Sequence, residues 1–188
     1  VRPVGHDIEK DQCIATQRQQ LDPIALSRLS ASGVNEISVF RKPKIGVLSS
    51  GDELVSAKTS SNELKDGTIF ESNKTFLLRS LEQLNVNIAD YGNIRDSRKE
   101  TEQALDVASK SCDLLITTGG VSVGDADHIT RTIQELGSLD FWRLNLKPGK
   151  PLAFGNIGDC RILGLPGNPV STIVTTLLVA YPLIDHLK

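Results

Sequence analysis

Three carboxylates, two lysines and a pair of adjacent glycines carry the chemistry this 188-residue chain can offer. Glu53 closes the run Ser49-Ser50-Gly51-Asp52-Glu53, Asp96 closes Ile94-Arg95-Asp96, and Asp127 ends the stretch that begins Gly119-Gly120-Val121-Ser122. Each follows an apolar, strand-like run. Brought together, three carboxylates repel one another, and a hard cation such as magnesium relieves the repulsion and bridges a phosphate. Taken singly, each acid also suits a helix start, where negative charge meets the positive end of the dipole. Asp52 reads as a structural spare. Glycines beyond a parallel strand let backbone N–H groups approach a phosphate. In Pro166-Gly167-Asn168-Pro169-Val170-Ser171, Asn168 suits an N-cap and Pro169 the first helical position. Free N–H groups of Val170 and Ser171, with the Ser171 hydroxyl, would then form an anion site. Lys147-Pro148-Gly149-Lys150-Pro151 holds two ammonium groups on a rigid loop, which suits a small oxyanion or an ordinary basic turn.

Strands and helices must alternate for these turns to meet. Ile45–Leu48, Val86–Gly92 and Leu114–Thr117 have strand patterns. Helical spacing follows through Phe76, Leu77, Leu81 and Leu84, through Leu105 and Ala108 in residues 97–109, and through Ile129, Ile133 and Leu136. Phe141–Leu144 is a further strand, with Trp142 in the core. Leu152–Phe154 and Arg161–Leu165 form a hairpin, and an apolar helix runs from Pro169 to about Leu187. Such alternation predicts an α/β three-layer sandwich, a mostly parallel sheet with helices on both faces. Its strand ends share an edge, so the four polar turns rim one crevice. Residues 56–68 read as a polar surface excursion. Nearer the start, Asp22 caps a helix burying Ile24, Leu26 and Leu29, and Glu36–Phe40 alternates like a strand. Arg41-Lys42-Pro43 divides a small segment, 1–42, from the main domain, 43–188.

The chain is 39% hydrophobic and 23% charged with net charge −2, an ordinary globular composition that points to neither a nucleic-acid nor an acidic-membrane partner. Three cysteines, odd in number and far apart, argue against a disulfide framework and fit a reducing, cytoplasmic setting. No apolar run reaches the roughly 18 residues expected of a membrane span. His6, His128 and His186 have no metal-ligand spacing, and no Ser-His-Asp arrangement is evident. The absence of methionine reads as a piece of a longer polypeptide.

Ser50-Gly51-Asp52-Glu53-Leu54, Thr118-Gly119-Gly120-Val121-Ser122-Val123-Gly124, Lys147-Pro148-Gly149-Lys150-Pro151 and Leu165-Pro166-Gly167-Asn168-Pro169-Val170-Ser171 occur in this order. Together they resemble the MoeA/gephyrin family, the molybdopterin molybdenumtransferases, from about Lys44 to Lys188. Residues 1–42 resemble the segment that returns from the family's preceding domains. MogA-type proteins share a Thr-Gly-Gly turn but continue it with Thr-Gly. The resemblance implies a MoaB/MogA-like molybdopterin-binding fold and a reaction in which adenylylated molybdopterin and molybdate, with magnesium, give molybdenum cofactor and AMP. It assigns Glu53, Asp96 and Asp127 as catalytic and metal-holding residues. Gly119, Gly120 and Ser122 would line the nucleotide or pterin phosphate, with Pro166, Gly167, Asn168 and Pro169 in the same cleft. Lys147, Lys150 and Ser171 match positions associated with molybdate. The family also implies a homodimer and a MogA-type adenylyltransferase as partner. Its N-terminal region and C-terminal β domain are missing here, so weak turnover is expected of this piece alone. A non-catalytic scaffold, a MogA-type adenylyltransferase and CinA-like nucleotide hydrolysis are the competing functions.

Overall fold

In the computed structural model, residues 3, 5–56, 59–60, 64–121 and 127–188 are described; Ser122 of the glycine-rich run lies outside them. Val1–Arg41 with Lys188 forms one compact unit and Lys42–Leu187 the other.

In the first unit, Asp22 accepts the Ala25 N–H at 2.7 Å and so caps α1 (Pro23–Ala31), as its sequence requires. The expected inward face is corrected: Ala25 is buried, whereas Ile24 and Leu26 are exposed. Glu36–Phe40 forms no strand, and Val39 and Phe40 are exposed. Alternation marks a face only where a partner strand completes the hydrogen-bond ladder.

The second unit is built on a six-stranded sheet. β1 (Lys44–Ser50) leads to the short β2 (Leu54–Val55) and β3 (Ile69–Phe70), which pair parallel with each other. This small ladder flanks the segment 56–68, in which the expected surface excursion falls partly on residues 57–58 and 61–63, outside those described. Next come α2 (Asn73–Leu81), β4 (Asn87–Ile94), α3 (Arg98–Ser109), β5 (Leu114–Thr118) and α4 (His128–Leu136). β6 (Ser138–Arg143), β7 (Pro151–Ile157) and β8 (Cys160–Leu165) follow. The chain closes with α5 (Pro169–Thr175), a π-helical turn Thr176–Ala180 and α6 (Tyr181–Leu187). The strand order is β4-β1-β5-β8-β7-β6. The first four strands are parallel, and β7 and β6 join antiparallel through the expected hairpin.

Because β5 is buried along its whole length, its side chains serve two cores in turn. Leu115 packs with Leu48, Leu105, Ile129 and Ile133 under α3 and α4. Leu114 and Ile116 pack with Leu77, Leu81, Ala180 and Ile184 under α2 and the C-terminal helices. The result is the expected three layers. Trp142 belongs to neither core: it is 44% exposed, and the Arg143 guanidinium lies 4.0 Å from its ring centroid. On edge strand β6 its large ring covers an outer face and serves as a cation–π platform.

One expectation about membranes also changes. The helical run Pro169–Leu187 has 19 residues and contains an 18-residue window of mean hydropathy 1.5, enough by length and composition to cross a bilayer. Its Ser and Thr residues obscured this in the sequence. In the structure Thr175 and Thr176 donate their hydroxyls to the Ser171 and Thr172 carbonyls at 2.8 and 2.7 Å, turning polar groups back onto the helix. Ala180 and Ile184 meanwhile sit fully buried against the sheet, where a helix packed on a core strand belongs.

Candidate active site

Parallel pairing sets the carboxyl ends of four strands level. Ser50 lies opposite Ile94, Ser49 opposite Thr118, and Thr118 opposite Leu165. The helices that follow β1, β4, β5 and β8 therefore start at this edge. β7 runs the other way, with Ala153 opposite Gly164, so the loop carrying Lys147 and Lys150 returns to the same edge.

The turns at that edge touch in sequence. Between the β1 and β4 turns, Gly51 donates its N–H to the Ile94 carbonyl at 3.3 Å, and Asp96 donates its N–H to Asp52 Oδ1 at 3.2 Å. Asp52 thus takes the structural part expected of it. Between the β1 and β5 turns, Gly119 lies against the Ser50 carbonyl, which a Cβ at Gly119 would strike. Gly119 and Gly120 have φ of +78° and +64°, and a Cβ on Gly120 would sit 2.8 Å from Ile129. Both positions need glycine for conformation and for room. A Cβ on Gly167 would lie 3.8 Å from Gly119 Cα, which joins the β5 turn to the β8 turn. Asn73 at the start of α2 donates its side-chain amide to the Gly167 carbonyl at 2.8 Å. A Cβ on Gly149 would come within 2.7 Å of Thr175, which packs the lysine loop against α5.

The charged residues expected of the site lie on different turns of this rim. Glu53 and Asp96 follow β1 and β4, Asp127 follows β5, and Lys147 and Lys150 lie beyond β8. Asp127 is buried and caps α4, its Oδ1 accepting the Thr130 N–H at 3.0 Å. Asp96 is half-buried, and its Oδ1 is shielded from water without a hydrogen-bond partner. Glu53 is exposed, while its carbonyl accepts the Ile69 N–H at 2.8 Å. Among the described residues, no group of three or more His, Cys, Asp or Glu side chains could hold a metal ion. The expected clasp of Glu53, Asp96 and Asp127 is therefore not formed by these side chains, since Asp127 turns toward its helix and Glu53 faces solvent.

The anion site needs a similar correction. Asn168 Oδ1 accepts the N–H groups of Val170 and Ser171 at 3.0 and 3.2 Å, so neither donor is free. The cap that places Pro169 also consumes its first donors. Pro166 is buried and its carbonyl accepts the Thr172 hydroxyl at 2.7 Å. Ser171 is buried, whereas Gly167, Asn168, Pro169, Lys147 and Lys150 are exposed.

Glu71, Ser72 and Asn73 join this edge without having been singled out as site residues. Their signal in the sequence is a polar triplet ahead of an amphipathic helix, a pattern that any helix start shares.

The probable molybdopterin binding domain matches residues 46–186. The chain belongs to that family. It is 39% identical over 188 residues to the molybdopterin molybdenumtransferase of Haemophilus influenzae, covering 100% of this chain and 46% of that protein. It is 37% identical over 185 residues to the molybdenum cofactor synthesis protein cinnamon of Drosophila melanogaster, covering 98% and 30%. The structure of the molybdopterin biosynthesis MoeA protein from Pyrococcus horikosii matches with a TM-score of 0.80 and 31% identity, over 97% of this chain and 44% of that one. The chain thus spans less than half the length of these relatives. The resemblance to the MoeA/gephyrin family is borne out. The molybdopterin-binding fold extends further: molybdenum cofactor biosynthesis protein B shares it at 12% identity with a TM-score of 0.59, covering 79% of this chain and 95% of that one.

Proposed function

We propose that this domain acts in molybdenum cofactor biosynthesis, inserting molybdate into adenylylated molybdopterin with release of AMP. The observation that carries this reading is the joined rim, with Asp96, Glu53 and Asp127 on the turns after β4, β1 and β5 and Lys147 and Lys150 on the loop ahead of β7, beside β8. A substrate with a phosphoanhydride and an incoming oxyanion needs both halves.

Magnesium goes with this reading. It binds through one or two carboxylates plus substrate phosphate, and does not require an all-protein cage. Asp96, whose buried Oδ1 lacks a partner, and Asp127 offer hard oxygen donors, with Glu53 next to Asp52, which accepts the Asp96 N–H. Bound there, the ion would offset charge on the phosphoanhydride as it breaks. The remaining work falls to the protein's own groups. Gly119 and Gly120 give the phosphate close access to the backbone, and Ser122 would add a hydroxyl. Pro166, Gly167, Asn168 and Pro169 shape the wall beside them. Lys147 and Lys150, with the Ser171 hydroxyl, hold molybdate as an oxyanion near the dithiolene. No covalent enzyme intermediate is needed.

In the same reading residues 1–42 are the end of a preceding domain, the complete protein is a cytoplasmic homodimer, and a MogA-type adenylyltransferase supplies the substrate. The test is an AMP-release assay with adenylylated molybdopterin. AMP release that requires both molybdate and magnesium is expected, at a low rate for the 188-residue chain alone. ATP consumption without molybdate would replace this function with adenylyl transfer or nucleotide hydrolysis. Full-rate turnover would refute the expected need for further domains.

A further inference from the structure

Glu71 lies just before the Ser72 N-cap of α2 and is 8% exposed. Its Oε1 accepts the Lys74 N–H at 3.0 Å, which gives the first turn of α2 the contact that the Ser72 side chain does not make. Its Oε2 is buried and has no hydrogen-bond partner. A carboxylate oxygen removed from water with nothing in exchange is unfavourable, and folding alone does not require this one. Two residues later, Asn73 ties the same helix start to the Gly167 carbonyl. The spare oxygen therefore belongs to a segment bonded directly to the candidate cleft.

We infer that Glu71 is a further substrate-binding residue, whose Oε2 accepts a hydrogen bond from an N–H or O–H group of the bound molecule. The inference rests on the function proposed above and names a contact that function did not include. Its chemistry narrows the ligand group. A carboxylate repels phosphate and molybdate, so the group it recognises is a neutral donor. Adenylylated pterin has such donors on both halves: the ribose hydroxyls and adenine amino group of the nucleotide, and the amino-pyrimidinone edge of the pterin.

The test titrates the 188-residue chain and its Glu71→Gln and Glu71→Asp variants with AMP by calorimetry and with 6-hydroxymethylpterin by fluorescence. Glutamine keeps the shape and an acceptor for Lys74 but loses the charge. Aspartate keeps the charge and withdraws it by one methylene. The expected result is binding weakened about tenfold or more for one ligand, at an unchanged melting temperature in at least one variant. The ligand affected identifies the half that donates: AMP the nucleotide, the pterin its amino edge. Unchanged affinity for both ligands overturns the assignment, as does weakening accompanied by a lowered melting temperature in both variants. A wild-type chain that binds neither ligand overturns the proposed function itself, and the assignment falls with it.

Discussion

Asp127 combines two demands that different substitutions separate. Asp127→Ala removes the α4 cap and should cost about 1 kcal/mol in urea unfolding. Asp127→Asn keeps a cap acceptor and should unfold close to wild type. Both should lose a magnesium-dependent thermal shift in the presence of adenylylated pterin; equal shifts in all three proteins would remove the proposed cation site. Gly119 is a purely steric case. Gly119→Ala puts a methyl group against the Ser50 carbonyl at a φ of +78°, so a loss of more than about 1 kcal/mol is expected by the same unfolding measurement. Local residue types made both positions visible in the sequence. Glu71 carries no such local signal, because a lone buried oxygen is a property of surroundings, and those come from elsewhere in the chain.

Helices and strands were legible where their pattern is local. Ser97 accepts the Glu100 N–H at 3.3 Å, as its place ahead of α3 suggests, and Asn168 caps α5. Glu36–Phe40 shows the limit, since alternation without a neighbouring strand produced no ladder. The C-terminal run shows another, because composition alone fits both a core helix and a membrane span. Two truncations distinguish these settings. Ile184→Ala, at a fully buried position, should destabilise by about 2–5 kcal/mol, while Leu178→Ala, at a residue 59% exposed, should stay within about 0.5 kcal/mol. Similar urea midpoints for the two would show that the helix does not pack against the sheet as described.

For the second unit as a whole, the edge opposite the candidate site sets the response to alkali. Cys112 and Cys160 lie near the starts of β5 and β8, and both are buried. Burial, reinforced by Cys112, pushes the Cys160 thiol from 9.0 up to about 12. Burial also raises the Tyr91 hydroxyl, which is hydrogen-bonded with the Cys112 thiol at 3.2 Å. Between pH 9.0 and about 12 the unfolded chain gives up the Cys160 proton while the native chain keeps it. The unfolded state then binds fewer protons, so stability is intact below this window and falls as pH rises through it. Urea midpoints should drop steadily across the window, and Cys160→Ala should flatten that decline; an equally steep decline in the variant would assign it to other groups.

The amino-acid order fixed the periods, caps and glycine turns, because those forces act over a few neighbouring residues. From them came the alternating α/β pattern and the motifs of the molybdopterin-binding family. Folding settled what the sheet brought close: Asn73 to Gly167, 94 residues apart, Asp52 to the Asp96 backbone, and Gly119 to Ser50. It also oriented the side chains, turning Asp127 to its helix and using the Val170 and Ser171 donors for the Asn168 cap. Such outcomes depend on strand register and competition among partners for the same hydrogen bonds. Neither is encoded in any short stretch of chain.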